Sequence, residues 1–238
     1  MTSRDGQPRR QPAAGRRRRR TQTGIELSRE TYVDAAVHLI ENRGAAVLSA
    51  RTLGTAVGAD ATALYRYFTG IDDVLRAVAD RMIGIALDRW TPDGDDWVSS
   101  LRTLARALYH VYAREFPLVG YATAVRTTGL ANEIRAVEIT IGLLRDGGFD
   151  EAGAARCFRS LSDFLLGQAM MESAFAALPS DIQLADHAVW DDLPDRLATA
   201  NAPHTESVAA HLRTLMQESS FDDALELVMR GLVASPRS

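Results

Sequence analysis

Two short segments with helical hydrophobic spacing meet at Gly58, and this junction constrains the fold more than any other feature of the chain. The first segment carries Leu53 and Val57 on one face, and the second, at about 60–67, carries Leu64. Apolar residues three or four positions apart mark one face of a helix, and an internal glycine interrupts it. A longer helical pattern precedes the pair and another follows. The junction therefore lies inside a group of four helices.

The two longer helices have recognisable starts and ends. Ser28 is a candidate N-cap for a first helix that ends before Gly44. A fourth helix is predicted at about 70–89, with Thr69 as its cap and Asp72 at the capping-box position. These signals indicate four consecutive helices before the polar loop at 91–96, which is the best domain boundary.

The remainder of the chain also has helical spacing, and runs of alternating β-branched residues are missing. Helices are predicted at 97–115, 118–127, 130–146, 151–177, 205–217 and 220–233. Residues 178–204 contain three prolines and predict a long, partly helical surface connection. The sequence therefore predicts an all-α fold.

The pair of short helices matches a helix-turn-helix, in which one helix braces against phosphates and the next enters the major groove of DNA. On the outward face of the second helix, Thr62 can contact a base and Arg66 can pair with guanine or a phosphate. Cations and free N–H groups at the start of the bracing helix also favour phosphate. The candidate DNA contacts are Ser49, Arg51, Ala61, Thr62, Tyr65, Arg66 and Tyr67. The alternative is an ordinary solvated helix face.

Positive charge is concentrated at the N-terminus. The chain has 27 basic residues, all arginine, and a net charge of −4, but residues 1–20 hold eight arginines against one acid, a net of +7. Residues 71–238 hold 15 arginines against 25 acids, a net of −10. This asymmetry indicates an anionic partner for one end only. Residues 1–24 have almost no apolar content and are predicted to be a disordered arm.

The arm contains five consecutive arginines, which could lie in the minor groove or along phosphates. They are Arg16, Arg17, Arg18, Arg19 and Arg20. A solvated tail with no specific role is the alternative, because polar tails are common.

Composition excludes several classes of protein. The single cysteine, Cys157, excludes a disulfide scaffold and a cysteine-based zinc module. No stretch approaches 18 apolar residues, and no apolar segment follows the charged N-terminus, so a cytoplasmic protein without membrane contact is expected. No nucleophile elbow, phosphate loop, zinc-protease motif or dinucleotide fingerprint occurs, so no enzyme activity, cofactor or metal is predicted. The acids around Asp186-His187 fit no known ligand spacing.

Residues around the second short helix follow a distinctive order. Leu64-Tyr65 is followed by Tyr67-Phe68 and then by Asp72-Asp73, and Ser49–Leu53 precedes them. From about residue 25 to 85 the chain thereby resembles the tetracycline-repressor-type transcription regulators. That family usually has a phosphate-contacting lysine near the start of the fourth helix, where this chain has Ile71. The resemblance implies that the phosphate is contacted from elsewhere or not at all, and the arginine run could compensate.

Three later segments resemble the ligand-binding and dimerisation half of the tetracycline repressor subgroup. They are TIGLLRDGGF (140–149), FLLGQAMME (164–172) and FDDALELVMRGL (221–232). The resemblance implies a homodimer joined by a four-helix bundle, made from the helix at about 151–177 and the last helices. It also implies an effector pocket among the intervening helices.

An ungapped alignment with that subgroup gives candidate effector contacts. They are Leu104, Leu108, Ala124, Thr127, Thr140 and Met171, with His110, Gln168 and Glu172 as further polar groups nearby. Ala124 replaces the metal-binding histidine of the subgroup, and polar drug contacts become leucine or methionine. The resemblance therefore implies a small, largely apolar effector and not a magnesium–tetracycline complex. A packed helical histidine is the alternative for His110, and a core or interface position is the alternative for Met171.

These expectations define three regions: an arm at 1–24, a DNA-binding domain at 25–89 with the helix-turn-helix at about 48–68, and an effector-binding and dimerisation domain at 90–238. The resemblance implies a homodimeric repressor that a ligand releases from a palindromic operator. A helical adaptor that binds protein is the alternative, and it would neither shift DNA specifically nor respond to a small molecule.

Overall fold

The computed structural model describes residues 26–197 and 200–235, and the all-α prediction is confirmed. The head comprises α1 (Arg29–Arg43), α2 (Ala50–Ala56), a 3-10 helix (Ala61–Arg66) and the start of α3 (Ile71–Arg89). The larger body follows as α4 (Trp97–Tyr109), α5 (Pro117–Thr123), α6 (Ala131–Asp146), α7 (Glu151–Ala176), α8 (Ser180–Asp191), α9 (Leu193–Leu197), α10 (Pro203–Leu215) and α11 (Phe221–Ala234). The predicted arm, including Arg16–Arg20, lies outside the described residues.

Residues immediately before and after the head helices determine where these helices begin and end. Ser28 Oγ accepts the N–H of Thr31 at 3.1 Å, and Gly44 ends α1 with a positive φ of 74°. Ser49 and Thr52 form a reciprocal capping box at the start of α2. The cap predicted at Ser28 is thus confirmed, since a short polar side chain at this position satisfies an otherwise free backbone donor.

The predicted start of α3 is wrong in detail. Gly70 is the N-cap and makes no side-chain capping bond. The neighbouring Asp73, instead of Asp72, reaches back to accept the Thr69 N–H at 3.0 Å. Asp73 also accepts from Arg29 Nη2 at 2.8 Å, so a partner distant in sequence selects which acid points toward the preceding turn.

The head has a compact core under the helix-turn-helix. Tyr32 and Ile40 of α1 pack with Leu53 of α2 and Leu64 of the 3-10 helix, and all four side chains are completely buried. Gly54 allows a very close approach of the two short helices, because a Cβ there would lie 2.9 Å from the Ala59 carbonyl oxygen. The core and this contact together fix the angle between the two short helices.

Helix α3 runs from the head into the body. It packs against α1 at one end and against α4, α5 and α6 further along. Val74, Val78 and Met82 are fully buried along its length. A single continuous helix therefore belongs to both the head and the body and connects them.

The predicted helix at 97–115 is two elements. The α-helix ends at Tyr109 and continues as a π-helix over His110–Glu115, closed by Phe116 N–H donating to the Val111 carbonyl at 3.0 Å. Such wider turns are rare, and periodicity alone does not separate them from α-helix.

The helices after α7 form two parts, of which mainly the last packs on the body. Helices α8, α9 and α10 pack mainly against one another, and Ala209 is the buried residue of α10. Helix α11 then returns to the body, where Phe221 stacks on Tyr109 with ring centroids 3.6 Å apart. The connection predicted at 178–204 is thus more helical than the prolines suggested.

Candidate nucleic-acid interface and effector cavity

The 3-10 helix presents a small polar face that is anchored from behind. Leu64 is completely buried in the head core, whereas Thr62, Tyr65 and Arg66 are exposed, with 63% of Tyr65 accessible. Asp60 caps the helix by accepting the Thr62 hydroxyl at 2.6 Å and the Thr62 N–H at 2.8 Å. The Thr62 hydroxyl bond lowers the pKa of Asp60, which keeps this carboxylate ionised at the start of the exposed face.

Tyr67 is arranged differently from the other candidate DNA contacts. Its hydroxyl donates to the Leu27 carbonyl at 2.7 Å, and its own carbonyl accepts from Arg29 Nη1 at 2.6 Å. The Arg29 guanidinium also lies 4.1 Å from the ring centroid of Phe68. Tyr67 therefore ties the end of the 3-10 helix to α1. Arg29 completes this tie, and no local sequence signal distinguishes it from other surface arginines.

The start of the bracing helix carries both a cap and a cation. The Ser49 side chain accepts the Thr52 N–H at 3.1 Å, which commits it to capping. Arg51, one residue before Thr52, is exposed. Over 26–197 and 200–235, neither Arg51 nor Arg66 takes part in an ion pair. Their charges are therefore available to an external anion such as a phosphate.

The body contains a partly open cavity of about 140 Å³ between α3, α4, α6 and α7. Four of the candidate effector contacts line it: Leu104, Leu108, Ala124 and Thr140. The lining is mostly apolar, and Thr140 Oγ1 donates to the Ala136 carbonyl at 2.8 Å. The cavity thus has the character of a site for a small apolar molecule.

Several residues of the lining were not predicted. They are Ile83, Leu101, Tyr112, Arg126, Phe158, Leu161 and Leu165, among others. Phe158, Leu161 and Leu165 follow helical spacing along α7, so the periodicity of this helix held a signal for them. Their helical spacing marks an inward face, but it does not distinguish a cavity wall from a solid core.

Five candidate effector contacts lie away from this cavity. Met171 is exposed on α7, and Gln168 donates to Ser220 Oγ at 3.3 Å. Thr127 borders a neighbouring surface groove, and His110 borders another between Arg106 and Arg114. Glu172, the fifth, belongs to a separate polar cluster.

That cluster fastens α11 to the body. Glu172 accepts hydrogen bonds from the hydroxyls of Tyr109 and Ser219, and Arg114 lies 3.1 Å from its Oε2. Burial raises the pKa of Tyr109 to about 12, so its hydroxyl stays protonated and can donate. The Glu172 carboxylate therefore has three partners within the fold.

Two charged residues line the apolar cavity. Arg126, in the loop before α6, forms an ion pair with Asp72 in the first turn of α3. Glu133 accepts the Thr128 N–H at 2.8 Å and the Thr128 hydroxyl at 2.9 Å, so its carboxylate is already hydrogen-bonded to the loop that precedes α6. Arg126 consequently links the cavity to the beginning of the helix that leaves the head.

Two carboxylates, one on α1 and one on α3, cap the first turns of helices in the body. Asp80 of α3 accepts the backbone N–H groups of Asn132 and Glu133 at the start of α6. Glu41 of α1 accepts the Val119 N–H at 2.7 Å, at the start of α5. Helices α5 and α6 have no side-chain cap of their own. Their first turns are therefore satisfied by acids from other elements.

The described residues do not provide a metal site or a membrane span. In these ranges, no three His, Cys, Asp or Glu side chains gather closely enough to hold a metal ion. None of the described helices combines the length and the apolarity needed to span a bilayer.

The chain is similar to known proteins over both of its parts. Residues 33–78 match the family model described as "Bacterial regulatory proteins, tetR family", and residues 91–235 match "Tetracyclin repressor-like, C-terminal domain". The tetracycline repressor protein class C of Escherichia coli is 26% identical over 219 residues, which cover 87% of this chain and 91% of that protein.

Two solved structures from Streptomyces coelicolor extend the similarity to the fold. The transcriptional regulator SCO7222, a TetR, has a TM-score of 0.69 and 25% identity, covering 87% of this chain and 98% of that chain. Apo ActR has a TM-score of 0.73 and 22% identity, covering 87% of this chain and 95% of that chain. The head, α3 and the helical body are thus similar together, as one arrangement.

Proposed function

The chain belongs to the tetR family of bacterial regulatory proteins, and we propose that it is a homodimeric repressor that a small molecule releases from a palindromic operator. Membership makes it a transcription regulator with a helix-turn-helix domain and a ligand-binding domain. The observation that carries the more specific proposal is the exposed face of Thr62, Tyr65 and Arg66 on a segment anchored by buried Leu64.

This face suits the major groove. Arg66 presents a guanidinium that can pair with guanine, Tyr65 presents a phenol to a base or phosphate, and Thr62 can contact a thymine methyl group. Ala61 leaves room for close backbone approach. Arg51 would contact phosphate from the bracing helix, and the arginines of the arm would add contacts that Ile71 cannot make.

A homodimer is supported by apolar surface on two helices. Met171 of α7 and Leu227 of α11 are both more than half exposed. On α11, Ala224, Leu227 and Gly231 follow one another at a helical spacing and form a stripe of small and apolar residues. Two such pairs of helices from two chains would form a four-helix bundle and bury these side chains. The two heads would then read half-sites about one helical turn, ~34–36 Å, apart.

The effector we propose is small and largely apolar. The Escherichia coli relative is a tetracycline repressor by name. In this chain the cavity wall carries Ala124 where the resemblance places a metal-binding histidine, and Leu104 and Leu108 where it places drug contacts. This lining suits aromatic or aliphatic surface and offers no magnesium ligand at that position.

Release would follow from a change in α3. Ile83 of α3 lines the cavity, and Asp80 of the same helix holds the first turn of α6. A ligand that favours one position of α3 would change the separation of the two heads. Coupling of about 1–3 kcal/mol is typical, and it arises only if the ligand binds the two head separations with different affinities.

The proposal is tested by DNA binding with variants of the exposed face. Fluorescence anisotropy on DNA selected from a random library, and on DNA flanking the coding region, should give a specific complex. Tyr65→Ala and Arg66→Ala should each weaken it roughly 10- to 100-fold, because each removes a base or charge-assisted phosphate contact. Tyr121→Ala, which removes another exposed tyrosine from α5, should bind normally. Equal affinity for all variants, or no selected sequence, would favour the helical adaptor.

A further inference from the structure

Arg126 is the cationic side chain in the wall of the apolar cavity. It lies among Leu104, Leu108, Phe158 and other apolar groups that offer an anion no other positive partner within the described lining. The second charged wall residue, Glu133, is already bonded to the Thr128 N–H and hydroxyl. An anionic group on a ligand would therefore be drawn to one position, the guanidinium of Arg126.

The same guanidinium forms an ion pair across the molecule. One of its terminal nitrogens, Nη1, contacts Asp72 Oδ1 in the first turn of α3. A guanidinium carries five N–H donors in a planar fork and binds a carboxylate through two of them in its strongest geometry. Because Asp72 already occupies Nη1, a ligand carboxylate that binds the Nη1–Nη2 edge of the fork would compete with Asp72 for Arg126.

Asp72 has a second partner available if Arg126 moves away. Its other oxygen, Oδ2, lies 3.2 Å from Arg76 Nη2, one turn further along α3. The Asp72 side chain is also largely exposed, so water can solvate it. Giving up Arg126 thus leaves no buried unpaired charge, and the exchange is energetically accessible.

We propose that the effector is an apolar aromatic acid whose anionic group takes Arg126 from Asp72. The inference rests on the proposed ligand-released regulator and specifies its ligand class and the ion pair that breaks. The exchange would disconnect the loop before α6 from the first turn of α3, next to the DNA-reading segment. The anion would act through this ion pair, and the apolar rings would provide the remaining affinity.

The test is calorimetry on the DNA-free protein with matched pairs of one- and two-ring aromatic carboxylates and their primary amides, which suit a cavity of about 140 Å³. The carboxylate should bind at least about tenfold more tightly than its amide, since a charge-assisted bond is roughly twice as strong as a neutral one. Arg126→Gln should remove this preference, and Arg126→Lys should retain part of it. Arg135→Gln, which removes an exposed arginine paired with Asp88 on the neighbouring α6, should leave it intact.

The decisive variant is Asp72→Asn. It removes the competing anion, so the carboxylates should bind roughly fivefold more tightly while the amides are unchanged. Equal binding of acids and amides, an unchanged affinity in Asp72→Asn, or no binding of any probe would overturn the inference. These measurements contain no DNA. Failure here beside normal operator binding rejects the ligand class alone, whereas absence of a specific DNA complex rejects the proposed regulator.

Discussion

The carboxylate of Asp80 accepts the backbone N–H of Glu133 at 2.9 Å, so α3 provides the N-terminal cap of α6. The N-cap residue of α6 is Leu130, which has no capping side chain. Asp80 also accepts the Asn132 N–H at 3.1 Å and the Asn132 side-chain amide at 2.9 Å, and it is buried. A negative charge at this end of α6 further interacts favourably with the helix dipole.

Asp80→Ala should lower the free energy of unfolding by about 1–3 kcal/mol, because it leaves buried N–H donors without a partner. Urea denaturation followed by circular dichroism measures this difference. Asp88→Ala is the matched control, since Asp88 lies on the same helix and pairs with Arg135 at the surface. The control should change stability by less than about 0.5 kcal/mol. Similar values for the two variants would contradict the capping role of Asp80.

Gly54→Ala should destabilise the head and weaken DNA binding together. The new Cβ would lie 2.9 Å from the Ala59 carbonyl oxygen and 3.1 Å from the Ala61 nitrogen, and both are backbone atoms. The 3-10 helix must then move relative to α2. Thermal unfolding and anisotropy on the selected operator measure the two effects.

Gly142→Ala is its control. A Cβ at Gly142 meets nothing within 4 Å inside α6. This substitution should stabilise the protein by about 0.5–1 kcal/mol, the usual gain of alanine over glycine in a helix. A neutral Gly54→Ala would show that the two short helices can separate freely.

Deleting residues 2–20 should weaken operator binding and flatten its dependence on salt. The segment contains eight arginines, and each phosphate that they no longer neutralise reduces the slope of log K against log salt by about 0.9. Anisotropy from about 50 to 200 mM salt measures the slope. Replacing Arg16–Arg20 with glutamine should reproduce most of the effect, and replacing Arg4, Arg9 and Arg10 should reproduce less. An unchanged slope after the full deletion means that the arm does not touch DNA.

Leu227→Glu should convert the proposed dimer into a monomer. Leu227 is 65% exposed in the single chain and lies on the apolar stripe of α11, so the dimer would bury a charge at this position. Sedimentation or light scattering gives the mass. Leu184→Glu makes the same substitution at a leucine that is 70% exposed on α8 and should leave the mass unchanged. A dimer that persists in Leu227→Glu would place the interface elsewhere.

The stability of the protein should depend on pH through Glu41. Burial, partly offset by the Val119 and Leu118 N–H groups, raises the pKa of Glu41 above its ordinary value of 4.5. The folded protein then binds this proton more tightly than the unfolded chain. Ionisation of Glu41 therefore costs stability, and the cost develops as the pH rises from the ordinary glutamate pKa through the higher folded pKa.

Glu41→Gln removes that ionisation and keeps an oxygen that can accept the Val119 N–H. The stability that the variant gains over the wild type, measured as the difference in the free energy of unfolding, should therefore be larger at pH 7 than at pH 4. Glu138→Gln on the exposed side of α6 corrects for the general change in net charge. A constant difference between pH 4 and pH 7 would contradict the raised pKa.

Elements with local signals could be predicted from the sequence. Helices α1 and α7 begin and end within two residues of their predicted limits, and the nearby caps Ser28 and Asp150 mark their starts. Asp150, for example, caps α7 by accepting the Gly153 N–H at 2.6 Å. Helices α6 and α11 match their predicted limits equally well, although neither has a side-chain cap of its own. The caps supplied by Glu41 and Asp80 were not predicted, since these carboxylates lie 78 and 52 residues away in the chain from the N–H groups that they accept.

The cavity could be predicted only in part. Leu104 and Leu108, which the resemblance gave as effector contacts, both line the cavity from α4, and their contact with an effector stays a prediction. The ungapped alignment also gave Met171, which lies further along α7 than the lining residues Phe158 and Leu161 and outside the cavity. The polar groups expected nearby, Gln168 and Glu172, likewise lie beyond it. Position along the axis of α7, and not residue type, therefore decided which of these side chains line the cavity.

In and next to the 3-10 helix, the residues that hold the fold are different from the residues that are exposed, and this separation affects how the DNA specificity of the protein could evolve. Leu64 and Tyr67 are committed to the head core and to α1, whereas Thr62, Tyr65 and Arg66 contribute little to either. Under the proposed function, point mutations at these three positions would change the preferred operator while leaving folding and the proposed dimerisation and ligand response nearly untouched. After gene duplication, a copy of this regulator could therefore acquire new target promoters through very few substitutions, without first passing through an unstable intermediate.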